Sequence, residues 1–565
     1  MKRIAVVLSS MVASSLLWAT AATAAAAGPR VIVNNARFAN ASRTDGVVVI
    51  GDGVITASGH GFTINKRDRS ADVVIDAKGG LVLPGFHDSH IHMLGGGLSL
   101  VRAQLAGPKT LAQLQKVVVD YVKAHPDRPW VLGRGWSYAL VPTGTLPTAK
   151  MLDDVVSDRP IYIRAYDGHT GWANSKALQL AGITKATKDP ADGEIVRDAD
   201  GNPTGALKEG AQDLMDAAMP QPTRAEKKAA LLAAAQHCVA LGLTAVDDIV
   251  YEVDAFELYS ELEDEGLLPI RVRISPLIEV SPDVAGDLDV YAMWREKLKG
   301  HRLLSFGFLK GFVDGVIESK TAFMTAPYHD SDHEVGRPLI PPARLIDLVD
   351  HAHARGFQVA LHSIGDGAVR LSLDAFEAAA KHYPKMKIRH RIEHIELLHV
   401  DDVKRFQKLD VVASMQPYHV NPFGDEPQKG PWAENLGPER WPMTMPWHTI
   451  VDAGGALTFG SDWPVFTANP LHGLAVAVSR RDEDGLPKAG WNAQQAVTVE
   501  QALHAYTVER GEIRGPSRTV GTLAPGQRAD VVVLDPKVKL DDVTTWWPGT
   551  VSAVIVDGEP RSLQP

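Results

Sequence analysis

A single cysteine, Cys238, in a chain of 565 residues excludes any internal disulfide. Stability must therefore come from core burial, to which a bound metal could add. Cys238 sits in the apolar helical pattern of residues 231–241, which reads as packing rather than as a nucleophile. Beyond the N-terminus no stretch is long and apolar enough to span a bilayer. There is also no long basic run. Lys and Arg are scattered and the formal charge is −10, which argues against a nucleic-acid partner. No fixed-period repeat occurs, and low complexity is confined to the alanine-rich tail of the N-terminal segment. What is present is 45% hydrophobic and 22% charged residues, enough for a large core and against wholesale disorder.

The first residues read as a sorting signal. Lys2 and Arg3 precede a charge-free, mostly apolar run over 4–19, and Ala22-Thr23-Ala24 fits an A-x-A cleavage site. The run is shorter than the ~20 residues of a spanning helix, so a cleaved signal peptide over 1–24 is preferred to an uncleaved anchor. The expectation is an exported protein, periplasmic or secreted, with no stable membrane span after cleavage.

Residues 31–83 read as short strands. Val31-Ile32-Val33 and Val47-Val48-Val49-Ile50 are β-branched, and Gly51-Asp52-Gly53 is a turn signal. The C-terminal end is alike, with Val531-Val532-Val533-Leu534, a run over 551–556 and Asp557-Gly558. Two β-rich ends suggest one small β-sandwich domain built from both termini, over 25–83 and 515–565. Between them, apolar runs alternate with helical patterns, as βα units do. Eight can be named: 81–86, 244–247, 270–275, 305–313, 358–364, 388–392, 411–416 and 456–460. Continuous apolar runs are what strands buried on both faces require. The expected fold is α/β, a (β/α)₈ TIM-type barrel over 84–514. The long gap after the first run predicts a subdomain inserted at about 105–235 that covers the barrel mouth.

The strongest local signal is Leu83-Pro84-Gly85-Phe86-His87-Asp88-Ser89-His90-Ile91-His92. A spacing of two on extended backbone points His90 and His92 to one face. Neutral imidazole ligates zinc and similar ions, and barrel enzymes place their chemistry at the C-terminal strand ends. His362, His394 and Asp462 also fall at or just past the ends of predicted strands. A pair of surface histidines would explain the first motif alone. Four histidines and a carboxylate at strand ends of one barrel instead imply one pocket. Lys310 lies in the fourth run, where a lysine is costly unless paired or chemically changed. It reads either as a buried ion pair with Asp314 or Glu318, or as a modified metal ligand.

These motifs, together with the β-rich ends, resemble the metal-dependent amidohydrolase superfamily. The segment from Asp167 through Gly168, His169, Thr170, Gly171 and Trp172 to Leu178 is similar to the subgroup containing N-substituted formamide deformylases. So are Gly201-Asn202-Pro203-Thr204-Gly205, Lys310 with Asp314-Gly315, Ile364-Gly365-Asp366, Ser414-Met415-Gln416-Pro417 and Gly460-Ser461-Asp462. The resemblance spans residues 31–560. It implies a divalent metal, zinc above others, as one or two ions: His90 and His92 with Asp462 on the first, His362 and His394 on the second, and a carboxylated Lys310 as bridge. The chain departs from the pattern at Ala245-Val246-Asp247-Asp248, where a histidine before the aspartate is expected.

The ligand set leads to an enzyme expectation, hydrolysis of an amide-like C–N bond of a small molecule by metal-activated water, with Asp462 carrying the proton. A lactone or carbamate hydrolase, a deaminase, and a catalytically inactive metal- or substrate-binding protein are the alternatives. His169 reads as an oxyanion donor or as a structural loop histidine. Trp172, Gln416 and His419 read as pocket-lining, with core packing the alternative for Trp172 and a surface position for His419. The loop over 418–447, with Trp432, Trp441 and Trp447, suits an ordered rim. The partners expected are a small-molecule substrate and, as an open possibility, further copies of the chain.

Overall fold

A computed structural model describes residues 30–563 apart from 40–42, 62–71, 106, 143–144, 167, 169, 191–192, 279–283, 421–427 and 508–520. The expected signal peptide and His169 lie outside the described residues.

The two ends of the chain form two small sheets. In the first, Val31–Ala36, Gly46–Gly51 and Val54–His60 run antiparallel, and Val73–Asp76 adds parallel to the first of them. In the second, Val82–Pro84, Val531–Leu534, Val551–Val556 and Glu559–Arg561 run antiparallel. Val31, Val33, Val48 and Ile50 from one sheet share an apolar core with Val531, Val533 and Ile555 from the other. The hairpin turns are those the sequence marks. Asp52 and Gly53 take φ of 52° and 73°, and Asp557 and Gly558 take 55° and 80°, the left-handed pair that Asp-Gly supplies.

The middle of the chain is an α/β, TIM-barrel-like fold. Phe86–Ile91, Leu243–Val250, Arg271–Pro276 and Leu304–Phe306 form one parallel sheet. Leu309–Phe312, Val359–Ser363, Arg391–His394, Val412–Met415 and Ala456–Phe459 form another. Backbone hydrogen bonds link the two arcs on both sides: Ile278 N–H to the Lys310 carbonyl at 2.8 Å, and Asp462 N–H to the His90 carbonyl at 2.7 Å.

Two strands differ from the sequence expectation. The run over 81–86 is not one strand: Val82–Pro84 pairs with Val531–Leu534, and the chain crosses at Gly85 into the strand Phe86–Ile91. Gly85 is needed there, because a Cβ would stand 2.1 Å from Thr244 Oγ1. His90 consequently lies inside a strand rather than beyond one. The run over 305–313 is split at Gly307, whose N–H donates to the Ile274 carbonyl at 2.8 Å.

The gap after the first barrel strand holds a six-stranded mixed sheet made from strands between Ala103 and Glu209, with its own apolar cores. The helix Arg224–Ala240 does not belong to that sheet. Leu231, Ala234, Ala235, Cys238 and Val239 pack into the core shared with the parallel strands. The helix opens with a capping box between Thr223 and Glu226. Among the described residues, no helix is long and apolar enough to cross a membrane.

The helix Met93–Leu100, which begins directly after His92, lies against Arg224–Ala240 with no room to spare. A Cβ on Gly97 would sit 1.9 Å from the Ala230 carbonyl oxygen. Gly97→Val should therefore cost ~1–3 kcal/mol of stability. The readout is the thermal midpoint of the purified chain, and an unchanged midpoint would show that the two helices do not interlock.

Candidate metal centre

The floor of the site is a buried chain of charges. Asp247 accepts from Arg273 Nη1 at 2.9 Å and Arg391 Nη1 at 3.0 Å, and His87 Nε2 stands 3.0 Å from its other oxygen. Arg391 continues to Glu393, with Nη2 at 3.1 Å from Oε2, and to the Ser89 carbonyl at 2.7 Å. Glu393 Oε2 then accepts a hydrogen bond from His90 Nδ1–H at 2.6 Å. Asp247, Arg391 and Glu393 are fully buried. Burial would raise the Asp247 carboxyl, but Arg273, His87 and Arg391 outweigh it and hold the group well below the usual range. Burial acts the same way on Glu393, and Arg391, His90 and Lys310 hold it at about 2. With Nδ1–H committed to a carboxylate, His90 turns Nε2 towards the other donors, as metal-binding imidazoles do.

Around that floor the strand ends bring the donors together. His90 Nε2 is 3.5 Å and His92 Nε2 3.0 Å from Asp462 Oδ1, and His419 Nε2 is 3.7 Å from Oδ2. The rings of His90 and His394 stand 4.9 Å apart, and those of His362 and His394 4.5 Å. His362 Nδ1 is 3.2 Å from Asp314 Oδ1, a carboxylate that also accepts from the N–H groups of Phe323, Ile364 and Gly365. Lys310, 1% exposed, has Nζ 3.4 Å from His90 Nε2. His394 and Asp462 carry φ of 76° and 57°, a left-handed backbone that costs of order 1–3 kcal/mol per residue and persists where surroundings over-determine it.

The electrostatics favour neutral imidazoles and an ionised carboxylate. Burial, then Lys310, lowers His90 to about 4, and burial together with His362 and His90 holds His394 well below its ordinary value. Burial would raise Asp462, yet His90, His92 and His394 keep it well below the carboxylate range. Burial lowers Lys310 to about 8. His394 Nδ1 and His419 Nε2 are buried without a hydrogen-bond partner among the described residues, a state costing ~1–3 kcal/mol each. Two groups, His90 with His92 and Asp462, and His394 with His419 and Asp462, present one ligand atom per residue within 4.8 Å of one another. Neutral nitrogens, an ionised carboxylate and orphaned lone pairs suit a divalent cation.

The sequence-derived residues divide accordingly. His90, His92, His394 and Asp462 meet, with His362 and Lys310 beside them. The ion pair considered for Lys310 with Asp314 is absent, since Asp314 turns to His362 and three backbone N–H groups. His419 lies inside the site, with Nε2 3.7 Å from Asp462 Oδ2, rather than on a surface. Gln416, 1% exposed, has both amide atoms unpaired. Trp172 packs against Trp136 inside the inserted sheet, its indole N–H donating to the Thr148 carbonyl at 2.9 Å, so core packing accounts for it. Asn174 of the same motif caps the helix Ser175–Leu180. Sequence reasoning passed over Asp247, Arg391, Glu393 and Glu396. The signal was there: Arg391 and Glu393 are opposite charges two apart in a buried strand, hence on one face. Asp248 of the departing motif accepts from Met93 N–H at 2.8 Å and Tyr259 Oη at 2.7 Å, fixing the turn after His92.

Comparison with known proteins gives the same direction. A family profile described as "Amidohydrolase family" matches residues 73–561. The putative amidohydrolase YtcJ of Bacillus subtilis is 30% identical, covering 87% of this chain and 91% of its own. N-substituted formamide deformylase of Arthrobacter pascens is 27% identical, covering 82% and 84%. The crystal structure of a metal-dependent hydrolase from Pyrococcus horikoshii superimposes with a TM-score of 0.71 at 25% identity, covering 94% of this chain and 100% of that one.

The histidine shifts fix a pH dependence. Unfolded histidine titrates near ~6.5. Below that, the unfolded chain takes up protons that His90, at about 4, and His394 refuse in the fold. Stability of the metal-free protein should thus fall as pH drops from ~6.5 towards 4, and fall further below ~4.3 as Glu393 loses the charge its folded state retains down to about 2. Melting of chelator-treated protein across this range tests it; a flat midpoint between pH 6.5 and 4.5 would contradict the assignment of buried neutral imidazoles.

Proposed function

Because the chain belongs to the amidohydrolase family and is a metal-dependent hydrolase, we propose that the bond it cleaves is the C–N bond of an amide-like small molecule. The observation that carries this reading is the His90, His92 and Asp462 group, whose ligand atoms lie within 4.8 Å of one another around an ionised, buried carboxylate. The named activity of the Arthrobacter relative, deformylation of N-substituted formamides, supports the bond type.

His90, His92, His394 and Asp462 would hold the ion, with zinc the expected metal and one or two ions per chain. A divalent cation bound there lowers the pKa of coordinated water towards ~7 and polarises the carbonyl. Asp462, ionised and buried beside the imidazoles, is placed to take the proton of the attacking water and deliver it to the departing amine. Glu393 keeps the His90 Nδ1 protonated and so keeps its Nε2 lone pair available. The unpaired Gln416 amide offers a donor to the developing oxyanion, and His169 remains a second candidate. Lys310, buried against His90, is the residue open to carboxylation as a bridging ligand.

We read the two parallel arcs as one closed (β/α)₈ barrel over 84–514 and the terminal sheets as a sandwich built from 25–83 and 515–565. The segment 1–24 reads as an export signal that delivers the chain to the periplasm or medium.

Asp462→Asn should lower turnover of an N-substituted formamide or related amide by ~10²–10⁴-fold. Metal content is measured on the same samples, so that loss of proton transfer separates from loss of the ion. Full activity would remove Asp462 as proton carrier. Hydrolysis of lactones or carbamates with inert amides would move the reading to those bonds.

A further inference from the structure

A cavity of about 200 Å³ lies in the seam where the inserted sheet meets the helices Met93–Leu100 and Arg224–Ala240. Leu98, Trp130, Leu132, Pro222 and Ala230 give it apolar walls. The helix Leu111–Ala124 adds Tyr121, whose hydroxyl donates to the Val101 carbonyl at 2.9 Å. None of the metal-donor residues lines it.

Two arginines do line it, and neither charge is well matched. Arg128 Nη1 stands 3.4 Å from Glu226 Oε1, a long contact between two half-exposed side chains. Glu226 is already committed to the Thr223 hydroxyl and N–H. Arg102 follows the helix Met93–Leu100 and precedes the short strand Ala103–Gln104. Ala103 and Leu105 point into the core of the insertion, so the alternation of extended chain turns Arg102 the other way, into the seam. Its guanidinium makes no hydrogen bond or ion pair among the described residues. Burial is the main influence on it and lowers its pKa, the like charge of Arg164 adds to that, and Tyr121 and Asp216 oppose it. Asp216 does not answer the charge, because Arg164 Nη2 holds its carboxylate at 2.6 Å. A guanidinium half withdrawn from water with its donors unused is a cost that an anion in the cavity relieves.

Size and lining select the ligand. Pockets for drug-sized molecules run from ~300 Å³ upwards, so this one admits a smaller molecule. A guanidinium fork matches a carboxylate, and the apolar walls suit a compact hydrocarbon body. A phosphate would set charge against those walls without donors to meet it. We propose that the seam is a binding site for a small organic monocarboxylate with a compact apolar body, held by Arg102 with Arg128 at the rim. The site stands apart from the metal centre and does not depend on the hydrolase reading. A bound acid would join the insertion to both helices, and so stabilise the folded chain by linkage.

Calorimetric titration of the metal-loaded full chain with benzoate tests this. A saturable site with a Kd of about 1 mM or tighter is expected, with a rise in the thermal midpoint. Arg102→Gln should weaken that site by ~10–100-fold. Ala229→Leu, from an exposed helix position on the cavity wall, should block it without touching either arginine. Metal content and circular dichroism of both variants should match the native chain, which separates loss of this site from loss of the fold or of the ion. Benzyl alcohol keeps the apolar body without the charge and should bind at least ~10-fold more weakly. Equal benzoate binding by the native chain and both variants puts the acid elsewhere and overturns the proposal, as does the lack of a saturable site. Inorganic phosphate binding more tightly than benzoate overturns it as well.

Discussion

The structure depends on keeping four charged groups out of water between the two parallel sheets of the TIM-barrel-like fold. Asp247, Arg273, Arg391 and Glu393 form an unbroken run of ion pairs and hydrogen bonds that ends on the His90 imidazole. Removing either carboxylate would strand a guanidinium in a dry interior, a defect costing ~3–5 kcal/mol. The run gains little net stability over an apolar core of equal volume, because desolvation of each ion offsets most of the pairing. What it supplies is orientation. Glu393 can accept the His90 proton only where Arg391 holds it, and Arg391 is held by Asp247 and the Ser89 carbonyl. The second barrel strand, the seventh parallel strand and the first therefore fix one ring nitrogen together.

That division of labour explains what was legible in the sequence. Candidate metal donors announce themselves, because histidine and aspartate at the ends of apolar runs have few structural reasons to be there. His90, His92, His394 and Asp462 were all readable on that ground. Their supports were harder to read, because a buried Arg391 or Glu393 looks in sequence like any charge on a half-exposed strand, and the spacing of two between opposite charges was the one signal. Only the partner across the barrel, 144 residues away for Arg391 and Asp247, shows that the charge is inside. His419 was read as pocket-lining, and the structure brings it beside Asp462. Its strand ends at Met415, and the turn that follows brings the ring back over the site.

The fold was readable by the same measure. Apolar runs located most barrel strands, and Asp-Gly pairs located both hairpin turns of the terminal sheets. The first strand was misread because His87, Asp88, Ser89 and His90 are polar, and an apolar run appears to stop at Phe86. These residues are nevertheless buried, each with a hydrogen-bond partner: His87 with Asp247, His90 with Glu393, Ser89 with Ser414, and Asp88 with the N–H groups of His90 and Ser461. Periodicity measures hydrophobicity, whereas burial here is secured by pairing. Trp172 shows the converse. A tryptophan inside a motif shared with a subgroup of enzymes suggests a pocket wall, yet the six-stranded insertion needs a core of its own.

At the floor every charge is paired with an opposite charge, with only Arg273 Nε left over, whereas at the rim several donors stand unpaired together. On the floor, each charge meets an opposite charge or a hydrogen-bond donor. At the rim, His394 Nδ1, His419 Nε2 and both Gln416 amide atoms are buried without partners, and His394 and Asp462 hold left-handed backbone. A fold of marginal stability does not accumulate such defects at random. Each is a cost that a bound cation or substrate relieves, so binding free energy at the rim becomes folding free energy for the barrel. With no disulfide available to a chain holding only Cys238, that coupling gives the ion a structural role alongside its chemical one.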